Sequence, residues 1–385
     1  MRTTIIVGGG PIGLLCAAML AQRGVFCCVL DARTVEDARR DTRLLALSRG
    51  TWEILSPVLG PELPPRAPIR DVFVSSAGDF GATRISSADF DGADLGATVR
   101  YGDLLAALTS RVAAHPKVEV RRPIAVAEVR QRPDRVEVLL ADGGVRSAEL
   151  AVHAEGMAAV PHGGASPAGD DWALLADVRL RPARGDLPAG AAFERFTRSG
   201  PLALLPVPGT PGGGAQRDFA LVWCMDGAEA RRRSELTEEA LRVELQSQLG
   251  PRLGEATAIG PRRAVALPRR LREQVSQHRV VALGNAAQTL HPVAGQGFNL
   301  GVRDCATLAD ELARDGAAPE SLARYARRRR ADRTAIALLT RGLPAAFASR
   351  FAPLALARGL ALAMLDATPA LRREFAQLLI FGVRS

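Results

Sequence analysis

Three glycines near the N-terminus have the spacing of a dinucleotide-binding loop. Gly8, Gly10 and Gly13 follow the apolar run Thr4–Val7 and open a helix-like segment. The first glycine permits a tight turn, the second lets the backbone approach a pyrophosphate, and the third lets the helix pack closely on the strand. Free N–H groups at the helix N-terminus favour phosphate binding. Asp31, at the end of the next apolar run, has the position of an acid that binds ribose hydroxyls.

No second loop with this spacing follows a strand elsewhere in the chain. The glycine-rich stretch 209–214 lies between two strand-like runs and precedes no helix, so it is interpreted as a flexible turn. We therefore expect one tightly held dinucleotide. These residues alone leave NAD and FAD open.

A second unusual stretch, "GNAAQTLHPVAGQGFNLG", covers residues 284–301. It holds glycines, a proline and several polar side chains, with few charges nearby, between an apolar run and a helix expected to begin near Phe298. His291 invites assignment as a general base, but a His-Pro pair in a tight loop is more often structural. We assign no catalytic acid or base.

Length and composition indicate a globular protein with two domains, or one domain with an insertion. The chain has 385 residues, of which 47% are hydrophobic and 24% charged. Its five cysteines form no CxxC pair, which favours reduced thiols and a cytoplasmic location. The five histidines are not at ligand spacing from a cysteine, so no metal site is expected. We find no segment long enough for a signal peptide or a membrane span.

The positive charge raises the question of an anionic partner. The net charge is +9, and Lys117 is the only lysine, so arginine supplies nearly all of it. Aromatic residues make up 4%, and no basic stretch interleaves with them, which disfavours nucleic acid. Contact with a membrane surface and a merely solvated arginine-rich surface both stay open.

Several phrases of the sequence resemble one known family. They are "GGGPIGLLCAAMLAQRG", "DTRLLALSRGTWEIL", "FERFTRSGPLALLPV", "FALVWC" and "GNAAQTLHPVAGQGFNLGVRDCATLADEL", in that order along almost the whole chain. They resemble the group A FAD-dependent aromatic hydroxylases, and among these the hydroxylases of ubiquinone biosynthesis. The resemblance implies an α/β fold with a Rossmann-like FAD-binding domain, an antiparallel-sheet substrate domain and C-terminal helices.

The resemblance also implies which residues bind FAD. In the ADP half they are Gly8, Gly10, Gly13 and Asp31, with Arg43 at the pyrophosphate or ribityl region and Gly284 and Asn285 at the ribityl chain. Relatives often have Asp where this chain has Asn285, and an amide can still bond a hydroxyl. The flavin ring would lie beside Pro292 and the backbone N–H groups of Gly295, Gln296 and Gly297, where a helix N-terminus favours the negative charge of reduced flavin. Asn299 would bond flavin or pin the loop.

The implied activity is that of a monooxygenase. Its FAD would use O2, through a C4a-hydroperoxide, to hydroxylate the aromatic ring of a polyprenylated phenol. Alternatives are another phenol or ring position, and a flavin-bearing scaffold without turnover. Glu155-Gly156 replaces the family's Asp-Gly and lacks the following Ser and Arg, so the electron donor stays open between NAD(P)H and a reductase partner. Other ubiquinone-biosynthesis proteins are candidate partners, and peripheral contact with the inner membrane is a candidate location.

These residues need elements to position them. The segment 41–55 is predicted to be a helix with Leu44, Leu47, Thr51 and Leu55 on one face and Arg43 near its start. Trp223 and Phe193 are expected in strands, as core or as lining of the substrate space. The C-terminal helices are predicted either as a cap or as a membrane-facing surface. The expected segments are an FAD-binding domain (1–65, 99–165 and 269–335), a substrate domain (66–98 and 166–268) and a C-terminal helical region (336–385).

Overall fold

The computed structural model describes residues 3–78, 80–156, 171–182, 187–209, 216–250, 253–348 and 352–383. Its helices are α1 (Pro11–Gln22), α2 (Val35–Arg39), α3 (Arg49–Leu59), α4 (Tyr101–Ala113), α5 (Gly227–Glu235), α6 (Glu238–Leu249), α7 (Gln296–Asp315), α8 (Pro319–Ala348), α9 (Ala352–Ala367) and α10 (Pro369–Phe381). Its strands are β1 (Thr3–Val7), β2 (Phe26–Leu30), β3 (Leu44–Ser48), β4 (Arg66–Ile69), β5 (Asp71–Ser76), β6 (Ala82–Ser86), β7 (Gly96–Arg100), β8 (Val118–Arg121), β9 (Val126–Gln131), β10 (Val136–Leu140), β11 (Val145–Ala148), β12 (Leu150–His153), β13 (Asp171–Arg181), β14 (Ala191–Thr197), β15 (Gly200–Pro206), β16 (Arg217–Asp226), β17 (Glu255–Ala266), β18 (Arg270–Leu271), β19 (Ser276–Gln277), β20 (Val280–Ala282) and β21 (Gln288–Thr289).

The N-terminal βαβ unit forms as the sequence predicts. The apolar strands β1 and β2 pair in parallel inside the sheet β19-β20-β12-β1-β2-β8, and α1 connects them. Gly24 follows the end of α1 with φ of 87°, a conformation that favours glycine. Nearly every residue of α1 is buried, between this sheet and helices α4 and α7. One face of the sheet therefore supplies the core of the domain.

A second sheet has the order β17-β13-β16-β15-β14-β5-β6. Its neighbouring strands are antiparallel except for β5 and β14, which run parallel, so the expectation of an antiparallel sheet is right for every other pair. Side chains alternate between its two faces. On one face Trp223 and Phe193 join the apolar core beneath α5 and α6. Both are therefore core residues, although Phe193 also borders the cavity described below.

The segment 41–55 differs from its predicted helix. Residues 44–48 form β3, which pairs with β7 in the small sheet β3-β7-β4, and the helix α3 begins only at Arg49. The Ser48 hydroxyl caps α3 by accepting a hydrogen bond from the Thr51 N–H. The spacing of the leucines fits one continuous helix, and it fits equally well a strand that is followed by a helix. Periodicity therefore could not place the boundary between β3 and α3. Arg43 consequently precedes a strand.

The C-terminal region is helical, as expected; Pro344 lies inside α8, whereas Pro353 and Pro369 lie near helix starts. Pro369 is at the first turn of α10, and α9 begins at Ala352, next to Pro353. Helix α8 runs without interruption through residues 335 and 336, between which the sequence-based segments were divided. Helix α9 packs on β6, and α10 packs on α3 and β3. No helix among the described residues combines the length and apolarity that crossing a bilayer requires.

Candidate functional site

The glycine-rich loop lies where the parallel sheet changes its direction of winding. Strand β1 is followed in the chain by β2 on one side, and β12 flanks it on the other. Ligands of open α/β sheets bind in the crevice at the carboxyl ends of strands at such a point. Gly8 and Gly10 occupy this crevice, and Gly10 is the N-cap of α1. The fold thus presents a helix N-terminus to a phosphate-sized group.

Two glycines of the loop are required by geometry. Gly8 has φ of 106°, and a side chain there would collide with the Ala154 carbonyl. A Cβ on Gly13 would lie 1.8 Å from the Gly8 carbonyl oxygen. Glycine at both positions therefore lets α1 pack against the turn.

Asp31 is buried and holds the loop together. Its carboxylate accepts hydrogen bonds from the Gly9 N–H at 2.7 Å and from the Arg33 N–H at 2.8 Å. Arg122, whose side chain is 7% exposed, forms an ion pair with Asp31 and donates to the Gly9 carbonyl. The Arg33 guanidinium also donates to the two carboxylate oxygens, at 3.4 and 3.5 Å, so a ribose hydroxyl would have to replace one of these longer contacts. The ribose contact of Asp31 stays a prediction. Sequence reasoning missed Arg122, which has no motif of its own.

The Tyr101 hydroxyl and the Arg33 guanidinium lie near Gly10. A Cβ built on Gly10 would lie 3.2 Å from the Tyr101 hydroxyl and 3.8 Å from the Arg33 guanidinium. Arg43 lies over the Tyr101 ring, 5.0 Å from its centroid, and pairs with Asp41 at 2.6 Å. Burial alone would lower the pKa of Arg43, but the neighbouring Asp41 carboxylate has the larger effect and raises it. Arg43 therefore stays charged. Arg43 thus lies near the Gly10 end of the loop through Tyr101, and its contact with the pyrophosphate or ribityl region of FAD stays a prediction.

Gly284 lies against the first turn of α1. Its φ is 55°, and an added Cβ would contact Ile12 at 3.3 Å. Gly301 allows the same approach from α7, since its Cβ would lie 3.1 Å from the Gly284 Cα. Gly284 and Asn285 form a short 3-10 turn after β20. The structure therefore places this pair between the glycine-rich loop and α7.

A cavity of about 320 Å³ lies between the FAD-binding domain and the second sheet. Its walls come from β3, the loop before α7, the inner face of the second sheet and α10. Five predicted residues line it together: Pro292, Gly295, Gln296, Gly297 and Asn299. Most of the other lining side chains are aliphatic. The remaining predicted residues lie outside this cavity, on the side of the dinucleotide loop.

Asn299 pins the loop. Its side chain accepts from the Ser48 N–H at 3.0 Å and donates to the Ala46 and Gly295 carbonyls at 3.2 and 2.9 Å. Gly295 touches the same strand, because its Cβ would lie 2.9 Å from that of Ala46. Of the two roles predicted for Asn299, the structure assigns it the second, holding the loop against β3.

The start of α7 offers polar groups to the cavity. The helix begins at Gln296, two residues before the expected Phe298, so Gln296 and Gly297 belong to its first turn. The Gln296 amide donates to the Ala294 and Leu379 carbonyls, while its buried Oε1 has no partner among the described residues. A Cβ on Gly297 would meet no atom within 4 Å. An orphan acceptor, open space and free helix N–H groups together fit a polar ring edge.

His291 is built into the loop. It is 5% exposed, and its Nδ1 accepts a hydrogen bond from the Val293 N–H. Burial, assisted by Arg269, lowers its pKa to about 4. An imidazole of such low basicity, whose Nδ1 already accepts from its own loop, is a poor general base.

Behind the loop lies a buried ionic network that sequence reasoning missed. Asp304 is fully buried and accepts from Arg329 at 2.7 Å, from Gln288 at 2.8 Å and from the Gly284 N–H at 3.4 Å. Arg329 also pairs with Asp332, which accepts from the Val383 N–H. The charged pattern of α8 indicated only a basic face. The network ties the Gly284 turn to α8 and to the end of α10.

The crevice at β1, the glycine loop and the adjoining cavity define a dinucleotide-binding α/β protein with room for a second ligand beside the nucleotide loop. The sequence profile of the FAD-binding domain matches residues 1–59 and 171–339. The chain is also 31% identical to ubiquinone hydroxylase UbiL of Rhodospirillum rubrum, over 96% of this chain and 87% of the relative. The chain belongs to this family of FAD-dependent ubiquinone-biosynthesis hydroxylases.

Other similarities agree with this family. The chain is 29% identical to 3-demethoxyubiquinol 3-hydroxylase of Escherichia coli, over 96% of each chain. Among solved structures, p-nitrophenol 4-monooxygenase PnpA of Pseudomonas putida superposes with a TM-score of 0.77 and 18% identity, over all of both chains. Pseudomonas aeruginosa PqsL superposes with a TM-score of 0.73 and 20% identity, over 92% of this chain and 99% of PqsL. The two structures support the fold.

Proposed function

We propose that this protein hydroxylates the aromatic ring of a polyprenylated phenol in ubiquinone biosynthesis. The observation that carries the proposal is the aliphatic cavity, which joins the polar start of α7 to the inner face of the second sheet. A ring held there has a flavin-binding loop on one side and apolar walls around it. The relatives named as ubiquinone and demethoxyubiquinol hydroxylases support this substrate class.

Residues of this chain fit FAD along its whole length. Gly8, Gly10, Gly13, Asp31 and Arg43 would hold the ADP half, and Gly284 and Asn285 the ribityl chain. Pro292, Gly295, Gln296 and Gly297 would hold the flavin ring, with Asn299 fixing their loop. When bound, FAD supplies the activated oxygen for hydroxylation, drawn from O2, after accepting electrons from NAD(P)H or a reductase partner.

The protein would contribute positioning and exclusion of water. Aliphatic side chains from four elements surround the space where the ring would lie: Leu45 and Leu47 on β3, Val72 on β5, Leu205 on β15, and Leu379 and Ile380 on α10. Because α10 forms one wall, the C-terminal region is more than an outer cap. Apolar walls also suit the first units of a prenyl tail, whose burial is favourable at about 25 cal/mol per Å².

An aerobic turnover assay tests the proposal. The flavin-loaded protein is given NAD(P)H, or a flavin reductase, together with a geranyl-substituted 2-methoxyphenol under ¹⁸O2. We expect one ¹⁸O atom in the ring product, detected by mass spectrometry. Products from other phenols only would favour another ring substrate, and a bound flavin that no donor reduces would favour the non-catalytic scaffold.

The flavin-ring site is tested separately by Gly297→Ala. An added methyl group meets no protein atom, so the apoprotein should fold normally, whereas the ring of FAD would occupy that space. We expect FAD affinity to fall about tenfold, which corresponds to about 1.4 kcal/mol, as measured by flavin fluorescence titration. Gly342→Ala on α8 is the matched control, because its Cβ also meets nothing within 4 Å. Equal FAD affinity in both variants would remove Gly297 from the site.

We also propose that α9 touches a membrane surface. Leu356, Leu360 and Met364, spaced by one helical turn, are 55%, 55% and 61% exposed. The opposite face of α9 is anchored, since Arg358 and Leu362 are buried. Helix α8 also presents the exposed cations Arg327 and Arg330, which suit anionic lipid. A polyprenyl-tailed substrate would be supplied from such a surface.

Changing the three exposed apolar residues of α9 to glutamine tests this contact. If each loses about 1 kcal/mol of partial burial in lipid, binding to anionic vesicles should fall by two orders of magnitude or more in a sedimentation assay. Val243→Gln, which replaces a 64% exposed apolar residue on α6, is the control and should bind as wild type. Unchanged binding of the triple variant would contradict a role for α9.

A further inference from the structure

Strand β14 turns alternate side chains toward the cavity. Phe193 lies on the face covered by α5 and α6, so Ala192 and Glu194 lie on the opposite, inner face. The register agrees, because Glu194 pairs with Ala203 on β15, and Ala203 pairs with Val222 on β16. All three of these inner-face residues line the cavity. A carboxyl group therefore stands on an otherwise aliphatic wall.

Glu194 is the one ionisable side chain among the described residues that line the cavity. It is half-buried, and within the described part of the chain it has no hydrogen bond or ion pair. Of the other polar lining side chains, Ser48 and Asn299 are engaged with the backbone, and Gln296 is engaged through its Nε2 but leaves its Oε1 without a partner among the described residues. A carboxyl group so placed usually has a partner, which points to one that arrives with the ligand.

The groups around Glu194 leave its carboxyl uncompensated. On β16 the buried Cys224 thiol interacts electrostatically with Glu194, and burial raises the pKa of that thiol. Asp171 and Arg269 also act on that thiol, but neither shifts the pKa of Glu194. No charge on the neighbouring strands or on α8 shifts Glu194, and burial raises its pKa to about 8. This brings the carboxylate close in basicity to a phenol, whose pKa is about 10.

We propose that Glu194 is the catalytic base that accepts the phenolic proton of the ring substrate. The phenol O–H bond breaks, a bond from hydrogen to a Glu194 carboxylate oxygen forms, and the electron pair stays on the ring oxygen. The electron-rich ring is then hydroxylated. As the ring regains aromaticity, the attacked ring carbon releases its proton to water, and the proton held by Glu194 returns to the phenolic oxygen. This step consumes no oxidant or reductant beyond those of the hydroxylation. It rests on the proposed function for its substrate class.

Glu194→Gln tests the proton transfer, since it keeps the shape and removes the base. For wild type, kcat/KM should rise with pH and be half-maximal near the carboxyl's pKa of about 8. The variant should lose this limb and react about 10²-fold or more slowly, with the Kd for the phenol changed less than about threefold. Glu255→Gln on β17, an exposed carboxyl of the same sheet, is the matched control. A variant with wild-type rate and pH profile overturns the proposal.

A binding measurement judges Glu194 without turnover. Wild type should bind the geranyl-substituted 2-methoxyphenol about tenfold more tightly than its methyl ether, and Glu194→Leu should lose this preference. If wild type makes no product but shows the preference, the proposed hydroxylation fails while the phenol contact of Glu194 stands. If wild type and Glu194→Leu show the same preference, Glu194 does not meet the phenol and the inference is wrong.

Thermal unfolding shows that Glu194→Gln is folded and reports the carboxyl directly. The folded-state pKa is raised, so the stability that Glu194 contributes is full below about pH 4 and is lost as pH rises through about 8. The Tm of Glu194→Gln, relative to wild type, should therefore be higher at pH 9 than at pH 5. An identical pH dependence in both proteins would show that the carboxyl is not held in a desolvated position.

Discussion

Gly13→Ala is expected to destabilise the protein by about 3 kcal/mol through overpacking and to abolish copurification of flavin. The new Cβ would lie 1.8 Å from the Gly8 carbonyl oxygen and 3.4 Å from the Ala154 Cβ. The backbone of the glycine loop must move to relieve this contact, because a carbonyl has no rotamer to change. Since the loop is the proposed phosphate cradle, the same movement removes its complementarity to FAD.

The predicted loss of stability is opposite in sign to the effect that helix propensity would give. Helix propensity alone favours alanine over glycine by about 1 kcal/mol, so without the collision Gly13→Ala would be stabilising. Gly342→Ala on α8 has the same propensity gain and no atom within 4 Å of its Cβ. Denaturant unfolding of the apoproteins and flavin absorbance of the purified proteins compare the two. Similar stabilities for both variants would contradict the close packing of α1 against the turn.

Asp304→Ala is expected to destabilise the protein by about 3–5 kcal/mol, because it leaves a buried arginine without its partner. Arg329 is 5% exposed. Burial disfavours its charge, but Asp304 and Asp332 outweigh burial and raise its pKa, so it stays charged. The Gly284 N–H and the Gln288 amide lose an acceptor as well. We therefore expect weaker FAD binding together with a lower free energy of unfolding.

Asp310→Ala on the same helix is the control. Asp310 pairs with Arg23 at 2.6 Å, but both side chains are substantially exposed, at 50% and 32%. Exposed ion pairs contribute about 0–1 kcal/mol, so this variant should unfold almost as wild type does. The comparison is made by urea unfolding and FAD titration. If both variants lost the same stability and the same FAD affinity, any substitution on α7 would have this result. The buried network around Asp304 would then have no special role.

The local elements near the N-terminus could be predicted because short-range rules dominate there. The strand, the glycine turn and the helix of residues 3–30 follow from patterning and from the steric needs of Gly8 and Gly13. The loop at 284–301 was also predicted as a site, and five of its residues do line one cavity. That these residues bind FAD remains a prediction, which the glycine variants test.

Prediction failed where one pattern fits two structures. Leu44 and Leu47 match a helical face, yet hydrogen bonding to β7 makes residues 44–48 a strand, because a pairing partner some fifty residues later in the chain decides the backbone conformation. Asp304 and Arg329 looked like ordinary helix charges. They become a buried pair only when α7 and α8 pack together.

The sequence by itself determined the nucleotide loop, the family and the class of cofactor, because these depend on residue type and spacing within short segments. Only the tertiary structure decided the chemistry of the cavity. In the sequence Glu194 is simply the polar neighbour of the core residue Phe193, as a solvent-facing strand residue would be. Packing of the FAD-binding domain and α10 against that face encloses it. The Glu194 carboxyl loses water because elements that are distant in the sequence pack around it. The local sequence "FERF" carries no information about those neighbours.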